Sequence, residues 1–285
     1  TIIVMEALAR KGHILMKPKL TIISLGAGVQ SSALLIAALN NELPDDYDKI
    51  DAAIFADTKD EPDEVYTWLQ TLEEYSDGRI PIYKVTHKSG KSLSEHSLKV
   101  RGKDYLEIGV PVFVPNAMVQ RQCTYQFKIV PIKRKIRELM REKGKKVCDQ
   151  LLGISLDEVS RMKDSRVQYL TNRYPLIDMR WTRTTAFNYV KEHLGTPPRS
   201  ACVFCPYHTN REWSLMKSEQ PNEFAKAVAY EKRLREAARK TNSFEGETYL
   251  HKSLQPLDTV AFTPEDAGQI TLFDYSEECD GLCGV

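Results

Sequence analysis

The cysteines set out the chemistry that this chain could do. Cys202-Val203-Phe204-Cys205 puts two thiols on one turn, close enough to share a metal ion or a cluster, and His208 follows shortly after. The bland alternative is an unmetallated, redox-inert pair. Glu278-Cys279-Asp280-Gly281-Leu282-Cys283 holds two more thiols. A thiolate there would be a nucleophile; the surrounding carboxylates raise the thiol pKa unless a basic site closes over them. The two could also form a redox disulfide, or one could complete a cluster. Cys148 lies in an apolar strand pattern and reads as core.

The second chemical signal is the turn Ser24-Leu25-Gly26-Ala27-Gly28-Val29-Gln30-Ser31-Ser32. Small residues between a strand and a helix let the backbone approach an anion. The free N–H groups and positive dipole end of the helix favour a phosphate. Ser31 and Ser32 add hydroxyls. No Lys-Ser/Thr pair follows the last glycine, so this is not a Walker A loop, nor is it the spaced dinucleotide fingerprint. The competing reading is a tight turn that needs glycine only for positive φ.

The elements around these residues alternate. Residues 21–25 read as a buried strand and 30–39 as a helix; 52–56 form a second strand. Asp60 as N-cap and Pro62 in the first turn open a helix whose Val65, Trp68, Leu69 and Leu72 share one face. A strand at 82–86, a helix at 132–143, a strand at 147–154 and helices at 185–194 and 222–240 follow. Gly195 and two prolines stop the 185–194 helix. The pattern predicts an α/β protein with right-handed crossovers and a doubly wound, mostly parallel sheet. Residues 1–18 are expected to be a disordered or vector-derived leader, 19–252 one nucleotide-binding domain, and 253–285 an acidic, cysteine-containing extension.

The chain has 285 residues, 42% hydrophobic and 28% charged, which excludes global disorder. A net charge of +1 excludes a generally basic nucleic-acid coat, although residues 128–146 hold nine Lys/Arg against two Glu. This stretch is a candidate nucleic-acid contact or a solvated face. After Lys252 there is no Lys, Arg or His, against seven carboxylates: Asp258, Glu265, Asp266, Asp274, Glu277, Glu278 and Asp280. No apolar run approaches the roughly 18 residues of a membrane span. Six cysteines without an export signal point to a reducing, cytoplasmic setting, where metal or thiol chemistry is the better expectation than a disulfide framework.

The motifs together resemble the phosphoadenosine phosphosulfate (PAPS) reductase family of the adenine nucleotide α-hydrolase, or PP-loop, superfamily. The glycine loop is similar to the family's modified PP-loop, with Gln30 where the ATP-hydrolysing branch has Asp. Phe55-Ala56-Asp57-Thr58 with Pro62, Glu64, Val65 and Tyr66 resembles its second motif, Cys123-Thr124-Tyr125-Gln126-Phe127-Lys128 its paired-cysteine motif, and 153–161 its Gly-Leu-Arg segment. Pro175-Leu176-Ile177-Asp178 with Trp181-Thr182 matches another motif, and the Cys279 segment resembles the terminal Glu-Cys. Lys59 and Thr124 depart from the pattern; they stand where the family has Gly and a second Cys.

The resemblance implies a Rossmann-like fold binding PAPS, adenosine phosphosulfate (APS) or ATP. Ser24, Gly26, Ala27, Gly28, Gln30, Ser31 and Ser32 would hold the anionic end, with Asp57, Lys128 and Arg161 beside it. It also implies that Cys123 joins Cys202 and Cys205 as ligands of a 4Fe–4S cluster, or of zinc with His208 as fourth ligand. Three functions follow. The first is reduction of a nucleotide sulfonate to sulfite, with Cys279 or Cys283 attacking sulfur and a thioredoxin-type thiol as reductant. The second is an adenylating iron–sulfur sulfurtransferase acting on nucleic acid. The third is a nucleotide-binding accessory protein of a mobile element that has lost the reaction.

Overall fold

The computed structural model describes residues 19–47, 49–101, 105–119, 122–241 and 246–262. β1 (Lys19–Leu25), α1 (Val29–Leu39), β2 (Ala52–Asp57), α2 (Asp63–Ser76) and β3 (Ile82–Thr86) form two βαβ units. The chain then leaves the sheet through α3 (Leu93–His96), the hairpin β4 (Leu98–Arg101) and β5 (Tyr105–Ile108), and the small pair β6 (Phe113–Val114) and β7 (Ala117–Met118). A π-helical segment, Thr124–Ile129, runs into α4 (Val130–Glu142) and then β8 (Val147–Leu152). A 3-10 segment, Leu156–Arg161, leads to β9 (Leu170–Arg173) and α5 (Pro175–Asp178). The described order closes with α6 (Arg183–Leu194), α7 (Asn210–Glu219), α8 (Pro221–Thr241) and a 3-10 turn, Leu257–Thr259.

Five strands make one sheet in the order β3-β2-β1-β8-β9, every pair parallel. Ile22 stands opposite Ala52 and Gln150; Leu25 stands opposite Phe55. The central strands are apolar on both sides because both faces are covered. Ile23, Leu25, Ala53 and Phe55 pack beneath α1, α2 and α6. The alternate residues Leu20, Ile22, Ala52, Ile54 and Ala56 pack on Ile132, Ile136, Leu139 and Met140 of α4. The expected doubly wound α/β architecture is therefore present. Strand order reverses between β1 and β8, the switch point at which open sheets of this kind receive ligands.

A separate apolar layer joins β5, Phe127 and the segment around Phe204 to α7 and α8. Leu257 and Val260 are buried, and Leu257 belongs to this layer, so packing runs beyond residue 252. Three local expectations shift. Asp60 does not cap α2, whose N-cap is Pro62; its carboxylate instead accepts from the Ser94 N–H and hydroxyl at 2.6 and 2.9 Å. α4 is preceded by a π-helical turn that a 3.6-residue period cannot reveal. α7 and β9 had no counterpart in the sequence reading, although Thr209 and Glu212 form a capping box that marks the start of α7. Among the described residues no helix is long and apolar enough to cross a membrane.

Candidate functional site

The glycine loop leaves the carboxyl end of β1 at the switch point. Positive φ falls on Ala27, at 58°, whereas Gly28 is extended at φ −101° and caps α1. Backbone handedness therefore does not explain Gly28. The loop is buried, and its serines brace it. The Ser31 hydroxyl accepts the N–H groups of Gly26 and Gly28 at 3.1 and 3.3 Å. Ser32 accepts the Trp68 indole N–H at 2.9 Å, tying α2 to α1. Ser24 is fully buried. α1 has no acidic residue in its first turn, so its positive end is not neutralised locally.

Gln30 lies 1% exposed in a polar network behind this helix start. Its carboxamide oxygen accepts from Arg183 at 2.9 Å, and its NH₂ donates to Glu158 at 2.8 Å and Ser155 at 3.4 Å. Glu158 is ion-paired with Arg161. A neutral amide can serve a guanidinium and a carboxylate at once; an Asp at this position would be too short and would repel Glu158. Gly153, just past β8, fits against the helix start so closely that a Cβ would lie 2.8 Å from the Ser31 nitrogen. Gly153, Ser155 and Glu158 stand in the 153–161 motif without a role read for them there, and Arg183 lies outside every motif read from the sequence. Arg183 had a visible signal, being a cation directly after the Trp181-Thr182 motif.

The second half of the site lies at the end of β2. The Asp57 carboxylate accepts from the Lys59 N–H at 2.7 Å and the Tyr66 hydroxyl at 2.9 Å. Lys59, where the resemblance expects Gly, takes a φ of 60°, the left-handed conformation that Gly would adopt without strain. Thr58 donates to Glu61 at 3.1 Å and lies 3.3 Å from the Cys202 sulfur. Glu61 is 3% exposed and pairs with Lys128 at 3.6 Å. Lys128 is thus buried, within the π-helical turn that follows Cys123.

Cys123, Cys202 and Cys205 line one small cavity of about 30 Å³ with Thr58, Thr124 and Lys128. The cavity lies where the C-terminal apolar layer meets the sheet. Burial pushes the Cys202 thiol well up and Glu61 adds to it, while Lys128 and the Thr58 hydrogen bond act the other way. His208 does not line this cavity. Its Nε2 donates to the Cys202 carbonyl at 3.0 Å, and burial followed by the Arg199 charge pushes its pKa down to about 3. Among the described residues, no three His, Cys, Asp or Glu side chains gather tightly enough to hold one metal ion. His208 is thus set apart from the cavity that the three thiols share, and its Nδ1 is buried 3.8 Å from a Glu212 carboxylate oxygen. Cluster thiolates each bind a different iron and need not converge on one point. Three thiols on a shared, mostly apolar wall fit that donor set. Cys148 is 1% exposed within the core, as expected. Cys279 and Cys283 lie outside the described residues.

Ser200 joins the two halves: its hydroxyl donates to the Gly26 carbonyl, two residues before Cys202. Val203 N–H, within the same segment, bonds the Asp60 carbonyl at 2.9 Å. Fold and site together define a doubly wound α/β protein with a helix N-terminus at its switch point and a three-cysteine wall beside it.

No family model matches the chain, and no curated protein matches it. Among solved structures it is similar to a phosphoadenylyl-sulfate reductase from Candida auris in a phosphate complex. Identity is 14% and the TM-score 0.41, over 67% of this chain and 80% of that one. It is also similar to a tRNA thiolase from Methanococcus maripaludis with its 4Fe–4S cluster, at 14% identity and a TM-score of 0.37, over 77% of this chain and 73% of that one. At this level the likenesses carry no argument about ligand or reaction, which rests on the geometry above.

Proposed function

We propose that the chain binds an adenosine nucleotide with its anionic end at the glycine loop and carries out thiol-dependent sulfur chemistry at that end. One observation carries the reading: the CxxC segment is hydrogen-bonded through Ser200 to the loop, so the three-cysteine wall adjoins the glycine loop. The N-terminus of α1 supplies N–H donors, and Arg183 and Arg161 add positive charge behind Gln30. Cys123, Cys202 and Cys205 would hold an iron–sulfur cluster. Bound there, it would supply a redox-active centre with one iron free of a protein ligand.

The reaction we favour is reduction of a nucleotide sulfonate, PAPS or APS, to sulfite. Cys279, or Cys283 in its place, attacks the sulfonate sulfur as a thiolate. The sulfur–oxygen bond to the phosphate breaks, and the nucleotide leaves with the electron pair. A thioredoxin-type dithiol then attacks the cysteine sulfur, sulfite departs, and the second thiol of the reductant closes its own disulfide and restores the cysteine. Gln30 supports this over ATP hydrolysis, since its amide is engaged as a neutral bridge. A sulfurtransferase is the second reading, favoured by the count of three thiols on the wall.

The test is sulfite release from PAPS and APS by anaerobically purified protein with thioredoxin. Removal of residues 276–285 is expected to leave nucleotide binding intact and abolish sulfite. Full activity after that removal would overturn the reductase reading.

A further inference from the structure

α4 turns Ile132, Ile136, Leu139 and Met140 toward the sheet. Its other side carries Arg134, Arg137 and Arg141, all exposed. With Lys145, Met140 and Tyr169 they line an open cleft of about 520 Å³. Of the nearby carboxylates, Glu138 is engaged by Lys135, Asp51 by Lys143 and Asp149 by Lys19, at 2.6, 3.0 and 2.9 Å, while Glu142 lies exposed beside Arg141. Among the described residues, Arg137, Arg141 and Lys145 form no ion pair.

The arrangement selects the kind of ligand. A small anion needs donors that converge on one point. Here Arg134, Arg137 and Arg141 recur every three or four residues, about one per 5.4 Å turn, over about 10 Å of helix, and Lys145 follows just past the helix end, where its N–H bonds the Met140 carbonyl at 2.8 Å. That row suits a polymer with a repeating negative charge. Tyr169 adds an aromatic surface in the same cleft, and a base can stack there only if it is unpaired. α4 also begins directly from the π-helical turn that lines the cysteine cavity, so a strand lying on the row runs toward the reactive end of the sheet.

We infer that this cleft binds single-stranded nucleic acid, with phosphates on Arg134, Arg137, Arg141 and Lys145 and an unpaired base on Tyr169. Four phosphate contacts to a single strand give a slope of log K against log salt of about −2.8. Fluorescence anisotropy of the full chain with a labelled single strand, and with the duplex of the same sequence, reads this directly. Arg137→Ala with Arg141→Ala should weaken binding at least tenfold at low salt and bring the slope to about −1.4. Tyr169→Ala should weaken single-strand binding roughly fivefold to a hundredfold with the slope unchanged. Both variants change surface or half-buried positions, and urea midpoints equal to the parent's verify their folding. The inference is overturned if no saturable binding occurs at low salt, or if the double variant binds like the parent. A preference for duplex with Tyr169→Ala neutral would also overturn it. Binding that emerges only when residues 263–285 are removed would assign the cleft to the chain's own acidic segment instead.

Discussion

Gly153→Ala tests the proposed anion site at its tightest contact. The added Cβ would meet the Ser31 nitrogen at 2.8 Å, the Gln30 carbonyl carbon at 2.9 Å and the Ser31 Cα at 3.0 Å. All three are backbone atoms of the first turn of α1, so no side chain can swing aside. Restoring ordinary contact requires β8 and the start of α1 to separate by about 0.6 Å, and overpacking of this kind costs about 1–3 kcal/mol. For a domain of this size that corresponds to a fall in Tm of roughly 2–10 °C. The same displacement moves the N–H groups proposed to grip the phosphate and loosens the Gln30 bridge to Glu158 and Arg183. Losing one charge-assisted hydrogen bond, worth about 1.5–3 kcal/mol, weakens nucleotide binding roughly tenfold to a hundredfold. The assays are thermal unfolding and calorimetric titration with PAPS and ATP, with Gly144→Ala as control. Gly144 has positive φ and open space around it, so its loss costs stability through strain without touching the site. Unchanged nucleotide affinity in a destabilised Gly153→Ala protein would refute the placement of the anion on this loop. Unchanged stability would refute the packing argument itself.

Other outcomes follow from the same structure. Lys128→Met should lower stability by about 3–5 kcal/mol in urea unfolding, because Glu61 is left buried without its counter-charge; adding Glu61→Gln should recover most of the loss, and additive losses would contradict the pairing. Cys202→Ser should remove most of the iron and sulfide from anaerobically purified protein, since a hydroxyl is a poor substitute for a thiolate; unchanged iron would remove this cysteine from the donor set. Hydrogen bonds from Arg235 and Arg239 hold Glu247 below its ordinary pKa of 4.5, so its stabilisation is present above that value and lost as pH falls through the lower, folded one. Glu247→Gln should therefore flatten the acid limb of the stability profile, and superimposable limbs would show that the pair contributes nothing. Burial, then Asp149 and Asp51, push the Cys148 thiol far above 9.0, so native alkylation should spare it until denaturant is added, as peptide mapping would reveal.

The sequence by itself determined the sheet and the loop, because both rest on local pattern. Apolar runs at 21–25 and 52–56 and a strand pattern at 82–86 alternate with helical periods, and strands apolar on both sides fit a parallel sheet covered on both faces. The small residues at Gly26, Ala27 and Gly28 between strand and helix likewise located the switch-point turn. What the serines of that loop do is not legible in the pattern: Ser31 braces Gly26 and Gly28 within the turn, and Ser32 serves Trp68, a contact that exists only once α2 lies against α1. Cys123 could be joined to Cys202 and Cys205 only by resemblance, since 79 residues separate it from the CxxC; folding brings it there through a π-helical turn that no hydrophobic period announces. His208 reads as a candidate zinc ligand by its place after the CxxC; only the tertiary structure sets it outside the cysteine cavity, with its Nε2 donating to the Cys202 carbonyl. Lys128 opens a basic run that reads as a solvated face or a contact surface, and only the tertiary structure buries it against Glu61. Periodicity reports which face of an element meets the core. It is silent about which polar groups from distant segments meet each other, because that depends on how the elements pack rather than on how each one forms.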